Sequence, residues 1–187
     1  MKIIEYNSAQ WPGVEKRLEE DAVPAEELKK VRKIISAVAE EGDRALRKFT
    51  FRFDGVDLKD FTVEPRELTE ARRLLGGDLR RTFERVEENI REFYAPVKAE
   101  SWEKRRKDGL VRGEKVTPVG SAAVYVPGGK APLISSVFMT AVPAIMAGVP
   151  RIVMVTPPGT GGAVNPLILA AADFLGIREI YTIGGAQ

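Results

Sequence analysis

The run Tyr125-Val-Pro-Gly-Gly-Lys-Ala-Pro132 holds the residue types in this chain best suited to binding a ligand. Gly128 and Gly129 can bring bare backbone N–H groups close to a phosphate ahead of a following helix, and Lys130 adds positive charge. Tyr125 can stack on a ring or hydrogen-bond, and the Gln187 amide can donate and accept at once. Gln187 closes a second glycine pair, Ile183-Gly-Gly-Ala-Gln187, and a third loop, Gly159-Thr-Gly-Gly162, falls between the two in sequence. Neither GxGxxG nor GxxxxGK[ST] is present, so nucleotide binding and plain tight turns after strands explain these glycines equally well. The chain has no histidine and no cysteine. The usual zinc and copper sites are closed to such a chain, as is the commonest general base near neutral pH. Chemistry done by these residues alone would fall to carboxylates, Lys or Tyr.

A change of periodicity at Ser121 supplies the elements that position these loops. Ala122–Val126, Ile152–Val155 and Ile180–Ile183 read as short apolar strands, separated by helices over 133–147 and 166–175. That alternation spells βαβαβ and a parallel sheet, whose strand ends all point to one edge and gather the three loops on one rim. The second and third strands are nearly uninterrupted apolar runs, the pattern of strands covered on both faces. Right-handed crossovers would place both helices on the same face. The other face then needs cover from the helical half or from further chain, and a half-sheet ending four residues after a strand reads as a fragment. The expected fold class is α/β. Residues 1–118 form an N-terminal arm and helical region with a short β connector, and 119–187 an incomplete Rossmann-like domain.

In the first hundred residues, Pro24-Ala-Glu-Glu opens a helix with Leu28, Val31, Ile34, Ile35 and Val38 on one face, ending near Gly42. Asp43 is a candidate N-cap for a segment carrying Ala45, Leu46 and Phe49, followed by an Asp54-Gly55 turn. Residues 60–63 read as a short extended piece. Pro65 suits the first turn of a helix that runs to Leu75 and stops at Gly76-Gly77. Asp78 caps the longest helix, whose stripe of Leu79, Phe83, Val86, Ile90, Phe93 and Val97 fits either core packing or a partner seam. Residues 101–118 form a charged connector. Its cluster Glu103-Lys-Arg-Arg-Lys-Asp-Gly109 suits a solvated turn or a phosphate contact, and Leu110–Val116 is β-prone.

Apolar residues make up 44% of the chain and charged ones 30%, enough for a core inside a charged surface. The net charge of +2 is too small for a nucleic-acid-binding field. No apolar run approaches the roughly 20 residues that span a bilayer. The longest, 131–149, is interrupted by Pro143 and Gly148. The first twenty residues lack the apolar core of a secretory signal, and with no cysteine the chain fits a cytoplasmic protein.

Several stretches together resemble the cofactor-domain region of the histidinol dehydrogenase family. They are Val116-Thr-Pro-Val-Gly120, Val124–Leu133, Ser135-Ser136, Met139-Thr-Ala-Val-Pro143, Ala147-Gly148, Thr156-Pro-Pro158, Ala170-Ala-Ala-Asp173 and Ile183–Gln187. Val38–Leu46 and the Phe53-Asp54 turn are similar to the family's early helical region. The resemblance runs over essentially the whole chain, which is well under half of a typical member. It implies a zinc-requiring enzyme that oxidises L-histidinol to L-histidine through the aldehyde in two NAD-linked steps. It also implies a homodimer in which one subunit completes the other's site. Tyr125 and Gln187 match the family's NAD-contacting tyrosine and glutamine, with Gly128, Gly129 and Lys130 in the same loop as Tyr125. The family's zinc ligands, Glu-His catalytic pair and substrate-gripping residues match nothing here. The resemblance therefore implies a chain with no catalytic or metal residue, carrying part of an NAD platform and inactive alone. The loop Pro158–Asn165 is longer than the family's usual one. A non-catalytic nucleotide-binding or scaffolding module is the alternative.

Overall fold

The computed structural model describes residues 3–20, 23–128 and 132–187. The amphipathic first half folds into α1 (Trp11–Glu20), α2 (Ala25–Glu41), α3 (Asp43–Asp54), α4 (Pro65–Arg72) and α5 (Gly77–Tyr94). A hairpin of β1 (Trp102–Arg105) and β2 (Val111–Glu114) follows. The second half runs β3 (Ala122–Tyr125), α6 (Ile134–Met146), β4 (Ile152–Thr156), α7 (Pro166–Phe174) and β5 (Glu179–Thr182). The expected βαβαβ unit is present, with strand boundaries within a residue of those read from the apolar runs.

β3, β4 and β5 form a parallel sheet in that order. Register aligns Val124, Met154 and Ile180 across the three strands, and all three are buried. α6 and α7 pack together, with α5 against α6 and α4 against α7. The core lies between these helices and the sheet. Phe138 sits at its centre, its ring centroid 5.1 Å from that of Phe83 and 6.0 Å from that of Phe174. Residues 61–63 do extend, pairing antiparallel with the edge of β5. Val63 N–H donates to the Ile180 carbonyl at 2.9 Å, and Thr182 N–H donates to that of Phe61 at 2.6 Å. Asp173 on α7, almost fully buried, ties the helical half to the half-sheet. It accepts from Arg72 Nε at 2.7 Å and Nη2 at 2.8 Å, and from Arg178 Nη1 at 2.6 Å.

Several expectations are corrected. The strands are not covered on both faces. Burial alternates along them, and the face carrying Ala123, Tyr125, Val153, Val155 and Tyr181 is half-buried to exposed. α1 and β1 carried no sequence reading. β1 is Trp-Glu-Lys-Arg, exposed throughout and held by its ladder to β2 rather than by an apolar face. Asp43 and Asp78 do not cap. α3 and α5 begin one residue after Gly42 and Gly76 respectively, leaving both acids in first turns, where the helix dipole favours them. The α5 stripe buries only Phe83 and Ile90, while Phe93 and Val97 at its far end stand exposed. No residue of α2 is buried: Leu28, Val31 and Ile35 of its apolar face are exposed, and Ile34 and Val38 are half-buried. Among the described residues, no helix is long and apolar enough to cross a membrane.

Candidate functional site

Pro157, just past the end of β4, organises the rim. A Cβ built on Gly128, in the loop after β3, would run into Pro157 Cγ. One built on Gly184, in the loop after β5, would lie 2.8 Å from Pro157 Cβ and 3.4 Å from Asp54 Oδ2. The three strand-end loops therefore close around one proline ring, and only bare backbone fits on either side. This packing explains Gly128 and Gly184 without any ligand. Gly129 and Lys130 lie outside the described residues.

Tyr125 and Gln187, distant in sequence, meet on this rim. The Tyr125 hydroxyl accepts from Gly185 N–H at 3.2 Å, tying the end of β3 to the loop after β5. Gly185 takes the left-handed conformation that presents this N–H, with φ 61°. The Gln187 amide folds back on α3, 3.3 Å from the hydroxyl of the fully buried Thr50. With its oxygen toward α3 it accepts from Thr50 N–H at 3.2 Å, while its nitrogen donates to the Gly184 carbonyl. Both side chains line one cavity of about 390 Å³, walled also by Phe53, Pro127 and Pro158. A larger groove of about 590 Å³ follows the exposed face of α2 from Ala25 to Glu41. One helix lines it, so it cannot enclose a ligand.

Asp54 is the residue that sequence reasoning missed. It is the last residue of α3, followed by Gly55 as a left-handed cap, and was read only as a turn. Its Oδ2 is buried at the cavity wall and has no hydrogen-bond partner. Burial pushes its carboxyl above the usual carboxylate range. An acid closing a helix opposes the dipole, and that local conflict was the available signal.

The basic cluster of 103–107 sits on the β1–β2 hairpin, where Arg105 pairs with Glu103 at 3.6 Å and Arg106 with Asp108 at 2.9 Å. That partial neutralisation fits a solvated turn. Among the described residues, no group of three or more His, Cys, Asp or Glu side chains could hold a metal ion.

The fold and site together define an open-sheet α/β protein with its pocket at the carboxyl ends of parallel strands, where such proteins bind ligands. The family model for histidinol dehydrogenase matches residues 16–187, and the chain belongs to that family. It is 43% identical over all 187 residues to the histidinol dehydrogenase of Bacillus subtilis, of which it spans 43%. It is 38% identical over the same length to that of Methanothermobacter thermautotrophicus, again spanning 43%. A crystal structure of histidinol dehydrogenase from Elizabethkingia anophelis superposes with a TM-score of 0.79 at 33% identity, covering 89% of this chain and 38% of that one. The chain thus spans about two fifths of the relatives it matches.

Proposed function

We propose that this chain supplies the NAD-binding rim of an enzyme that oxidises L-histidinol to L-histidine through the aldehyde. The carrying observation is that Tyr125 and Gln187, matched by resemblance to NAD contacts, line one cavity and are held by the same short loop. The unpartnered Asp54 Oδ2 in the wall supports a polar ligand there. Bound NAD would take up the hydride released by the substrate. The chain's own residues orient it. Gly185 N–H fixes the Tyr125 hydroxyl, and the side chain lines the cavity. Thr50 fixes the Gln187 amide, and Pro127, Pro157 and Pro158 line the cavity.

The donor set for zinc is missing among the described residues, so in this proposal its ligands come from outside the chain, and no step is derived through it. Residues 119–187 form the cofactor part and 1–118 the preceding region. A homodimer is supported by the open apolar face of α2, at Leu28, Val31 and Ile35. We place the enzyme in the cytoplasm.

The test is NADH formation from NAD and L-histidinol by the whole protein that carries this chain. Activity is expected, with Tyr125→Ala raising the KM for NAD roughly tenfold through lost aromatic contact. Absence of histidinol-dependent NADH formation would overturn the proposal.

A further inference from the structure

We propose that Thr50 is a positioning residue for the oxidation: acting through the Gln187 amide, its hydroxyl fixes which polar group that side chain turns toward the ligand. This rests on the reading of the rim as an NAD site and adds to it a residue that touches no ligand. Thr50 lies inside α3, is fully buried and is not among the residues that line the cavity. A threonine inside a helix can turn its hydroxyl back on the carbonyl four residues earlier. Thr69, Thr82 and Thr140 do so, donating to the carbonyls of Pro65, Asp78 and Ser136 at 3.0, 2.9 and 2.7 Å. Thr50 instead aims its hydroxyl at Gln187, 137 residues away in sequence. Helix geometry does not require that choice.

Two neighbours decide how the Gln187 amide lies. With its nitrogen toward α3, its oxygen would face the Gly184 carbonyl, acceptor against acceptor. With its oxygen toward α3, it accepts from the Thr50 hydroxyl at 3.3 Å and from the Thr50 N–H at 3.2 Å, while its nitrogen donates to Gly184. Both oxygen lone pairs and one of the two N–H bonds are then used within the chain. One N–H remains. Gln187 therefore meets a ligand as a donor only, and the Thr50 hydroxyl is what spends its oxygen. Without that hydroxyl the amide is held more weakly on α3 and must be ordered by the ligand, so the loss falls on NAD affinity and not on the chemical step.

Steady-state kinetics of the whole protein that carries this chain test the proposal, with NADH formation from NAD and L-histidinol as the readout. Thr50→Val is expected to raise the KM for NAD roughly 3- to 10-fold, as loss of one hydrogen bond does. Its kcat and its KM for L-histidinol are expected to stay within about twofold of wild type, because only cofactor binding is weakened. Thr50→Ser is expected to keep the wild-type KM for NAD. In a Gln187→Ala background Thr50→Val is expected to add nothing, since the amide it acts through is gone. An unchanged KM in Thr50→Val, a serine that does not rescue, or a valine effect that persists without the Gln187 amide would overturn the proposal. The last of these is the outcome a merely structural role gives. If Gln187→Ala itself leaves the KM for NAD unchanged, the rim reading falls and takes the proposal with it; if Gln187→Ala raises it and Thr50→Val does not, only the role of Thr50 falls. A wild-type measurement keeps the test open should Thr50→Val fail to fold. Side-chain amide NMR of Gln187 is expected to show contacts to the Thr50 methyl, with one N–H proton protected from exchange and the other not. Two equally fast-exchanging protons without that contact would overturn the proposal.

Discussion

Replacing Gly184 with alanine would place a methyl carbon 2.8 Å from Pro157 Cβ and 3.4 Å from the Asp54 carboxylate. Carbon atoms pack at about 3.5–4.0 Å, so Pro157 or the β5 loop must yield by roughly 0.7 Å or more. The obstacle is a ring held in the chain rather than the end of a flexible side chain. Overpacking of this kind costs about 1–3 kcal/mol. For a chain of this size that lowers the melting temperature by roughly 2–12 °C. The φ of Gly184 lies outside the left-handed region, so the cost is steric alone. Gly128 presses on the same ring at a different atom, Pro157 Cγ, while its distance to Pro157 Cβ is an ordinary 3.5 Å. Pro157→Ala keeps Cβ and removes Cγ; Pro157→Gly removes both. Double-mutant cycles read by urea unfolding should therefore split. Pro157→Ala is expected to relieve Gly128→Ala and leave Gly184→Ala costly, whereas Pro157→Gly relieves both. The effect of Pro157 substitution on the unfolded chain cancels within each cycle. A neutral Gly184→Ala, or one whose cost persists in Pro157→Gly, would refute the steric account of the rim glycines.

Phe138→Ala removes one ring of the three-ring cluster with Phe83 and Phe174 and is expected to cost about 3–5 kcal/mol in urea unfolding. A loss below about 1 kcal/mol would mean that the α5–α6–α7 layer is not closely packed there. Asp173→Asn probes acid stability. The Arg72 hydrogen bonds, then the charge of Arg178, hold the Asp173 carboxyl below the usual carboxylate range. As pH falls below about 4 the unfolded chain takes up the proton first, so the contribution is full above that pH and is lost as pH drops through the lower native value. Both arginines remain half-exposed, which limits the neutral-pH loss to about 1–3 kcal/mol. The variant should also show a flatter acid limb in urea midpoints taken from neutral pH downward, and a wild-type slope there would contradict the assignment.

What could be read in advance divides along physical lines. The strand at Ile152–Val155 and the helix from Pro166 were legible because apolar runs and helix starts are local signals. The cap of α7 was not read in advance: it is Asn165, whose side chain accepts from Leu167 N–H at 2.9 Å. Periodicity located the apolar face of α2 but carried no information on how much of it is covered: α3 packs on α2 and leaves Ile34 and Val38 half-buried, while Leu28, Val31 and Ile35 stay exposed. β1 was invisible because its stability comes from ladder hydrogen bonds, which any side chain permits. The rim glycines looked alike in sequence. Only the approach of three loops to Pro157 separates Gly128 and Gly184, which packing requires, from a glycine that serves a ligand. Asp54 stayed hidden for the same reason. Its unpaired oxygen exists only once α3 is set beside the loop after β5.

Amide NMR of the isotopically labelled chain during titration with NAD tests the strand-end site most directly. The expected result is saturable shift changes concentrated at Tyr125, Gly185, Gln187 and Asp54, lost in Tyr125→Ala. No saturable change at these residues, or changes centred instead on the β1–β2 hairpin or α2, would contradict it.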